Sequence, residues 1–192
     1  MRTYFNVLLF FTLLICGFTL ALGSQLGLFQ DLFVFLGISL LWLGLLIGIG
    51  IAVMILFIQR HEPSSRPLLI RLSITLAILG TSIGLLKFYV PVRIGFLASR
   101  PAFDRWLAQN PKPANRSLTT QLGWYAVNHY ADDPRGGHYF RVYQGGNGLG
   151  PDIMSYGFVY RPNSEGTPFG AAEYRGYHLD GDWYWFHASD DW

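Results

Sequence analysis

Four of the five histidines in this 192-residue chain lie in its last third, among several aspartates. They are His129 and His138, which could approach across one hairpin, and His178 and His187, which could approach less directly across another. Together with Asp132 and Asp133 they suggest a metal site, because imidazole and carboxylate both bind zinc and related ions. However, no pair has helical i, i+4 spacing and the set lacks cysteine. We therefore predict surface or hairpin-facing histidines and keep only His129, His138, Asp132 and Asp133 as candidate metal ligands.

Other motifs in the same region give weaker chemical signals. Gly145–Gly150 is as glycine-rich as a phosphate loop, but it leads towards another strand instead of the helix N-terminus that such loops need. Ser155 has isoleucine where a nucleophile elbow requires glycine two positions earlier. Asp180 and Asp182 flank a glycine and are typical of a turn. We therefore predict no catalytic residue and no cofactor.

Three long apolar runs precede this polar region. They are Phe5–Leu22 with 18 residues, Leu32–Ile58 with 27 and Leu68–Val90 with 23. A helix needs about 20 apolar residues to cross a hydrocarbon core of roughly 30 Å. The sequence therefore predicts an all-α transmembrane domain over residues 1–98, with three helices at about 5–22, 32–58 and 68–90 and the lipid bilayer as a partner.

Charge divides the chain in the same way as hydrophobicity does. Residues 1–99 contain six Lys and Arg against two acidic residues, whereas residues 100–192 contain eight against ten. The basic residues thus flank the apolar runs, where they set orientation. The polar half has no basic stripe suited to phosphate backbones, so no nucleic-acid partner is expected.

The basic residues also predict the orientation of the spans. Arg2 precedes the first span, the loop Gly23–Asp31 has no Lys or Arg, and the loop Gln59–Arg66 has two. This pattern predicts a protein of the cell (inner) membrane with its N-terminus in the cytoplasm and its C-terminal domain on the extracytoplasmic side. Three arginines after the third span oppose this assignment. Alternatively, the first run is a signal peptide cleaved near Ala21-Leu22-Gly23, which leaves the sidedness unchanged.

Small residues recur at four-residue spacing in the second and third spans. Gly44 and Gly48 form one pair, and Gly80 and Gly84 form another. Small residues allow helices to approach closely in lipid. Folding the chain at the short loop brings the two pairs to a similar depth, which predicts a glycine-lined contact between these helices. The alternatives are that glycine is simply common in membrane spans, or that these glycines mediate contacts between copies of the chain.

After the third span the chain becomes polar and rich in aromatic residues. Ser99–Asn110 has the pattern of a short amphipathic helix, with Ser99 as its cap, and Asn110–Thr119 resembles a loop. Residues 99–119 are therefore a predicted helix and linker, and residues 120–192 a soluble all-β domain. It forms an antiparallel meander or small open barrel. The predicted strands are Leu122–Tyr130, His138–Gln144, Ser155–Tyr160, Ala172–Leu179 and Trp183–Ala188.

The tail also resembles known proteins in its turn and aromatic positions. Leu122-Gly-Trp-Tyr, Tyr156-Gly-Phe-Val-Tyr-Arg-Pro162 and Tyr177-His-Leu-Asp-Gly-Asp-Trp-Tyr-Trp185 resemble the C-terminal regions of bacterial multi-pass membrane proteins of unknown function. These share a Gly-Phe-x-Tyr-x-Pro … Leu-x-Gly-x-Trp-Tyr pattern after a few apolar spans. The resemblance covers about 70 residues. It implies a bacterial origin and a β meander, and it assigns no functional residue.

Three functions remain compatible with the sequence. The first is a non-enzymatic interaction or accessory protein that presents the β domain to other membrane or envelope proteins. The second is a module that senses a small ligand or a metal and signals through the glycine-lined helix pair. The third is a component of a transporter or hydrolase whose site forms only on oligomerisation.

Overall fold

The structure, a computed structural model, describes residues 2–59, 65–110, 115–146 and 153–189. It divides into two compact units. The first consists of Met1–Gly23 with Phe33–Pro91, and the second of Ser24–Leu32 with Val92–Trp192.

The first unit is built from the three apolar helices that the sequence predicts. They are α1 (Arg2–Gly23), α2 (Leu32–Ile58) and α3 (Ser65–Lys87), and each is long and apolar enough to cross a membrane. A helix satisfies its own backbone hydrogen bonds, which lipid cannot do. The third helix is shifted by three residues from the predicted 68–90. It ends early because the chain turns at Tyr89, whose φ of 54° lies in the left-handed region.

Within this unit, α1 packs most closely against α3. Both helices bury small polar residues, among them Thr12 of α1 and Thr75 and Ser82 of α3. Each hydroxyl donates to the carbonyl four residues earlier in its own helix, at 2.8 to 3.0 Å. Each of these three hydroxyls is therefore hydrogen-bonded, and the small side chains allow the two helices to approach closely.

The two glycine pairs do not meet in the single chain. A Cβ placed at Gly44, Gly80 or Gly84 would find no atom within 4 Å. Gly48 instead faces α1, where its carbonyl accepts a hydrogen bond of 2.7 Å from the hydroxyl of Tyr4. The predicted α2–α3 contact is therefore replaced by an α1–α2 contact, because a tyrosine hydroxyl in an apolar helix needs an acceptor. Packing between copies through these glycines stays a prediction.

The second unit contains one helix and one open sheet. The helix is α4 (Val90–Gln109), and a short 3-10 turn covers Leu28–Gln30. The strands are β1 (Asn115–Leu122), β2 (Tyr125–Asp132), β3 (His138–Gly146), β4 (Ile153–Tyr160), β5 (Ala172–Asp180) and β6 (Trp183–Ser189). All pairs are antiparallel, in the order β1-β2-β3-β4-β6-β5. The predicted fold class is confirmed.

Two local expectations about this unit were wrong. The helix begins nine residues before Ser99, because Pro91 suits the first turn of a helix. Ser99 is therefore not a cap but donates to the carbonyl of Gly95 at 2.8 Å. The stretch predicted as a loop contains β1. Within the confirmed antiparallel sheet, β6 lies between β4 and β5.

Both faces of the sheet carry apolar clusters. On one face, Phe96 and Phe103 of α4 lie 4.9 and 5.4 Å from the ring of Phe158, measured between centroids. On the other face, Phe169 from the β4–β5 connection stacks on Phe186 at 6.2 Å. A helix and a loop thus shield the aromatic side chains of the strands from water.

We expect the β domain to tolerate no side chain at Gly157. This residue is buried in β4, and a Cβ there would overlap the backbone carbonyl oxygen of Phe140 in the paired strand β3. Gly157→Ala should cost about 3 kcal/mol, or a fall in Tm of roughly 15 °C for a domain of this size. Near-UV circular dichroism of the purified chain in detergent would follow the melting.

Gly176 of β5 provides the matched control for this substitution. It is exposed, and a Cβ there would lie 3.8 Å from the nearest atom. Gly176→Ala should leave the Tm almost unchanged. Equal melting of the two variants would contradict the close β3–β4 pairing.

Candidate functional site

The two histidines proposed as metal ligands lie on opposite faces of the sheet. The ring of His129 contacts Phe169 at 5.2 Å, and its Nε2 lies 2.7 Å from Oδ1 of Asn115. The ring of His138 is stacked between Tyr130 and Tyr160 on the helix-covered face. The reason is the strand register, which pairs His138 with Asp132 and not with His129.

His138 instead forms a small polar cluster with two residues of β2. Its Nδ1 lies 3.0 Å from Oδ1 of Asp132 and 2.9 Å from the hydroxyl of Tyr130. The Tyr130 hydroxyl is buried, which together with the Asp132 charge raises its pKa to about 12. The cluster orients the imidazole ring and leaves its Nε2 without a hydrogen-bond partner among the described residues.

The second predicted histidine pair also separates. Nε2 of His178 lies 3.0 Å from the carbonyl oxygen of Gly181, in the β5–β6 turn. The ring of His187 packs against Tyr177 and Trp185, and burial lowers its pKa. Across the part of the chain that the structure describes, no three His, Cys, Asp or Glu side chains are grouped to hold a metal ion.

The remaining sequence candidates take structural positions. Asp180 pairs with Arg100 of α4, and Asp182 pairs with Arg161 at 2.8 Å. Ser155 is fully buried inside β4. Gly145 and Gly146 end β3, and the remaining four residues of Gly145–Gly150 lie outside the described residues.

A buried carboxylate holds the loop that covers the second face of the sheet. Asp133 accepts from the Arg135 backbone N–H at 2.9 Å and from its Nε and Nη2 at 3.0 and 2.7 Å. These bonds lower its pKa. Beside it, Asn163 donates to the carbonyl of Gly136 at 2.8 Å and to the hydroxyl of Tyr139 at 3.1 Å. The network joins the β2–β3 and β4–β5 connections.

The sheet is open, so it has two edge strands, β1 and β5. The edge of β5 is irregular: its pairing with β6 shifts twice, and Glu173 has a φ of 50°. Bulges of this kind protect an edge against further pairing. The edge of β1 shifts once and is exposed at Asn115, Arg116, Ser117, Thr119 and Gln121. Arg116 is its one charged side chain.

The segment between α1 and α2 is a part of this unit that sequence reasoning missed. Leu26 is buried in the main core, and the left-handed Gly27 (φ 82°) lies against the rings of Tyr143 and Tyr156. The Tyr125 hydroxyl donates to the carbonyl of Ser24 at 3.0 Å. The sequence signal for this packing was the cluster of apolar residues in the loop. A loop that only connects two spans does not require apolar residues.

Comparison with protein-family models, with curated proteins and with solved structures gave no match. The likeness of the tail to bacterial membrane proteins therefore stays a prediction. The geometry of the second unit itself has to support any functional proposal.

Asp133 should make the stability of the β domain dependent on acid pH. Its pKa is lower in the folded chain than the ordinary value of 3.8. Its stabilisation is therefore complete above that ordinary value and is lost as the pH falls through the lower, folded value. We expect Asp133→Asn to cost about 2 kcal/mol at pH 7 and to flatten the loss of stability below pH 4.

Denaturant unfolding of both proteins between pH 2 and pH 7 would test this expectation. Asp182→Asn is the control, because the Arg161–Asp182 pair is exposed and surface pairs contribute little. A larger loss from Asp182→Asn than from Asp133→Asn would refute the role given to the buried carboxylate.

Proposed function

We propose that this chain is a non-enzymatic integral membrane protein that presents its β domain to another membrane or envelope protein. The observation that supports the proposal is the exposed edge of β1. An edge strand displays unpaired backbone N–H and C=O groups, and an extended segment of a partner can add to it as a further strand.

The side chains of β1 fit this role better than those of β5. Ser117, Thr119 and Gln121 are short or flexible, polar and exposed. Such side chains allow a partner strand to pair with the β1 edge, whereas a row of charged side chains would oppose the pairing. On β5, Glu173 and Arg175 stand at the edge, and the irregular backbone interrupts the ladder.

The ionic side chains of the domain support binding in preference to catalysis. Asp133 is bonded to Arg135, Asp182 to Arg161, and Arg100 to both Asp104 and Asp180. Charged side chains engaged in such ion pairs stabilise the loops and the helix that surround the sheet. A partner bound through backbone hydrogen bonds would leave them in place.

We further propose that the spans cross the inner membrane with the N-terminus in the cytoplasm and the β domain outside. The support is the distribution of Lys and Arg around the apolar helices. A single cysteine at exposed Ala126, in a chain with Cys16→Ala, should react with a membrane-impermeant maleimide added to intact cells. Reaction only after lysis would reverse the orientation.

Site-specific photo-crosslinking would test the β1 edge. A benzoylphenylalanine at Thr119 should give one defined adduct in native membranes, whereas the same residue at Arg175 on β5 should not. Addition of Thr119→Pro to a chain with the crosslinker at Gln121 should remove the adduct, because proline lacks the N–H group and obstructs strand pairing. The Tm should stay close to that of the parent chain, because β1 pairs with only one strand.

Two results would contradict the β1 proposal. One is equal crosslinking from Thr119 and Arg175, which would indicate unspecific contact. The other is an adduct that persists in the Thr119→Pro chain. Neither result would depend on which partner the adduct contains.

A further inference from the structure

The helix α4 has a second apolar side that the described residues of the β domain do not cover. Ile94 and Leu97 are 57% and 52% exposed, and Ala98 and Pro101 on the same side are also exposed. Their spacing of i, i+3, i+4 and i+7 defines one stripe along the helix. The opposite side packs into the core of the domain through Phe96 and Phe103, among others.

The exposed ring of Trp124 is held beside the same part of the helix. Trp124 is 57% exposed at the turn between β1 and β2. Its backbone N–H donates to the Ser99 hydroxyl at 2.9 Å. Gly123, with a φ of +62°, fits against Ser99, and the indole ring lies beside Gly95. The turn is thus fixed to the first half of α4, and the ring has a defined position.

If the apolar helices cross a membrane, chain connectivity keeps this part of the domain near the membrane surface. The unit is joined to the predicted spans after Gly23, before Leu32 and after Lys87. α4 begins three residues beyond Lys87, so Ile94 and Leu97 lie about 6 and 10 Å along the helix from Val90. The headgroup layer is about 5–8 Å thick on each side. Even if α4 stood perpendicular to the membrane plane, Ile94 would lie within or next to the headgroup layer.

A second connection leads to the same location. Tyr125, next to Trp124, donates its hydroxyl hydrogen to the carbonyl of Ser24, which directly follows α1. The hydroxyl of Tyr125 also lies 3.5 Å from the carbonyl oxygen of Val92. The β1–β2 turn is therefore held close to Ser24, which follows α1, and to Val92 in the first turn of α4.

We propose that Ile94, Leu97 and Trp124 form a docking surface for the lipid bilayer that holds the spans of the same chain. Tryptophan favours the boundary between headgroups and acyl chains, because its ring is apolar and its N–H is polar. The aliphatic side chains of α4 would enter the same layer, as in helices that lie on membranes. The inference rests on the membrane assignment and is independent of the β1 edge.

Fluorescent labels on α4 would test the docking surface in the full chain. In a Cys16→Ala background reconstituted into phosphatidylcholine vesicles, Leu97→Cys would carry the dye NBD. Ala108→Cys is the matched control, because it is exposed on the same side of α4 and about 17 Å further along. Lipids with a nitroxide near the headgroup should quench the dye at position 97 several-fold more strongly, and dithionite should reduce it several-fold more slowly.

The native tryptophan gives an independent readout. In vesicles of lipids brominated near the headgroup, Trp124→Phe should remove part of the quenched tryptophan fluorescence. Trp106→Phe, which lies towards the other end of α4, should not. Trp124 and Leu97 are both exposed, so neither substitution removes core packing.

Two outcomes would overturn the docking surface. The first is equal quenching and equal reduction at positions 97 and 108, together with no effect of Trp124→Phe. The second is a dye at position 97 that is protected from dithionite but is not quenched by lipid nitroxides. In that case the protection would also disappear when the protein is diluted in lipid. That second result would assign the stripe to a second copy of the chain.

Discussion

The packing of α4 on the sheet is the interaction on which the second unit depends. Phe103 contacts Phe140, Phe158 and Trp183, and Phe96 contacts two of the same rings. Aromatic pairs of this kind contribute roughly 0.5–1.5 kcal/mol each beyond the area they bury. The same packing decides which side of α4 faces the sheet. The apolar outer side of α4 and the position of Trp124 follow from it.

The second face of the sheet is stabilised by different means. A connection without regular structure covers it, and such a segment carries backbone groups that must be paired. Asn163 accepts from the backbone N–H groups of Glu165 and Gly166, and the Tyr139 hydroxyl donates to the carbonyl of Gly166. Phe169 supplies the apolar contact. With one face under a helix and the other under this loop, the edges are the parts of the sheet left open. The proposed binding of a partner would use the backbone N–H and C=O groups of the β1 edge.

The sequence predicted the elements whose signal is local. Run length and hydrophobicity were sufficient for three apolar helices, and the turn at Asp180-Gly181 was sufficient for the β5–β6 hairpin. By contrast, β1 was predicted as a loop, since Asn115, Arg116, Ser117 and Thr119 are polar. Its strand conformation comes from pairing with β2. The start of α4 was missed because Val90 and the residues before it continue the apolar run, and the turn at Tyr89 is a backbone feature.

By itself, therefore, the amino-acid order determined which segments avoid water and which can form strands, because these properties depend on neighbouring side chains. Which residues meet was decided only in three dimensions. A register in which His138 pairs with Asp132 places His129 on the other face. A tyrosine hydroxyl on α1 brings Gly48 to that helix and leaves Gly80 and Gly84 outward. Contacts of this kind depend on the relative placement of whole helices and strands, which no local pattern in the sequence encodes.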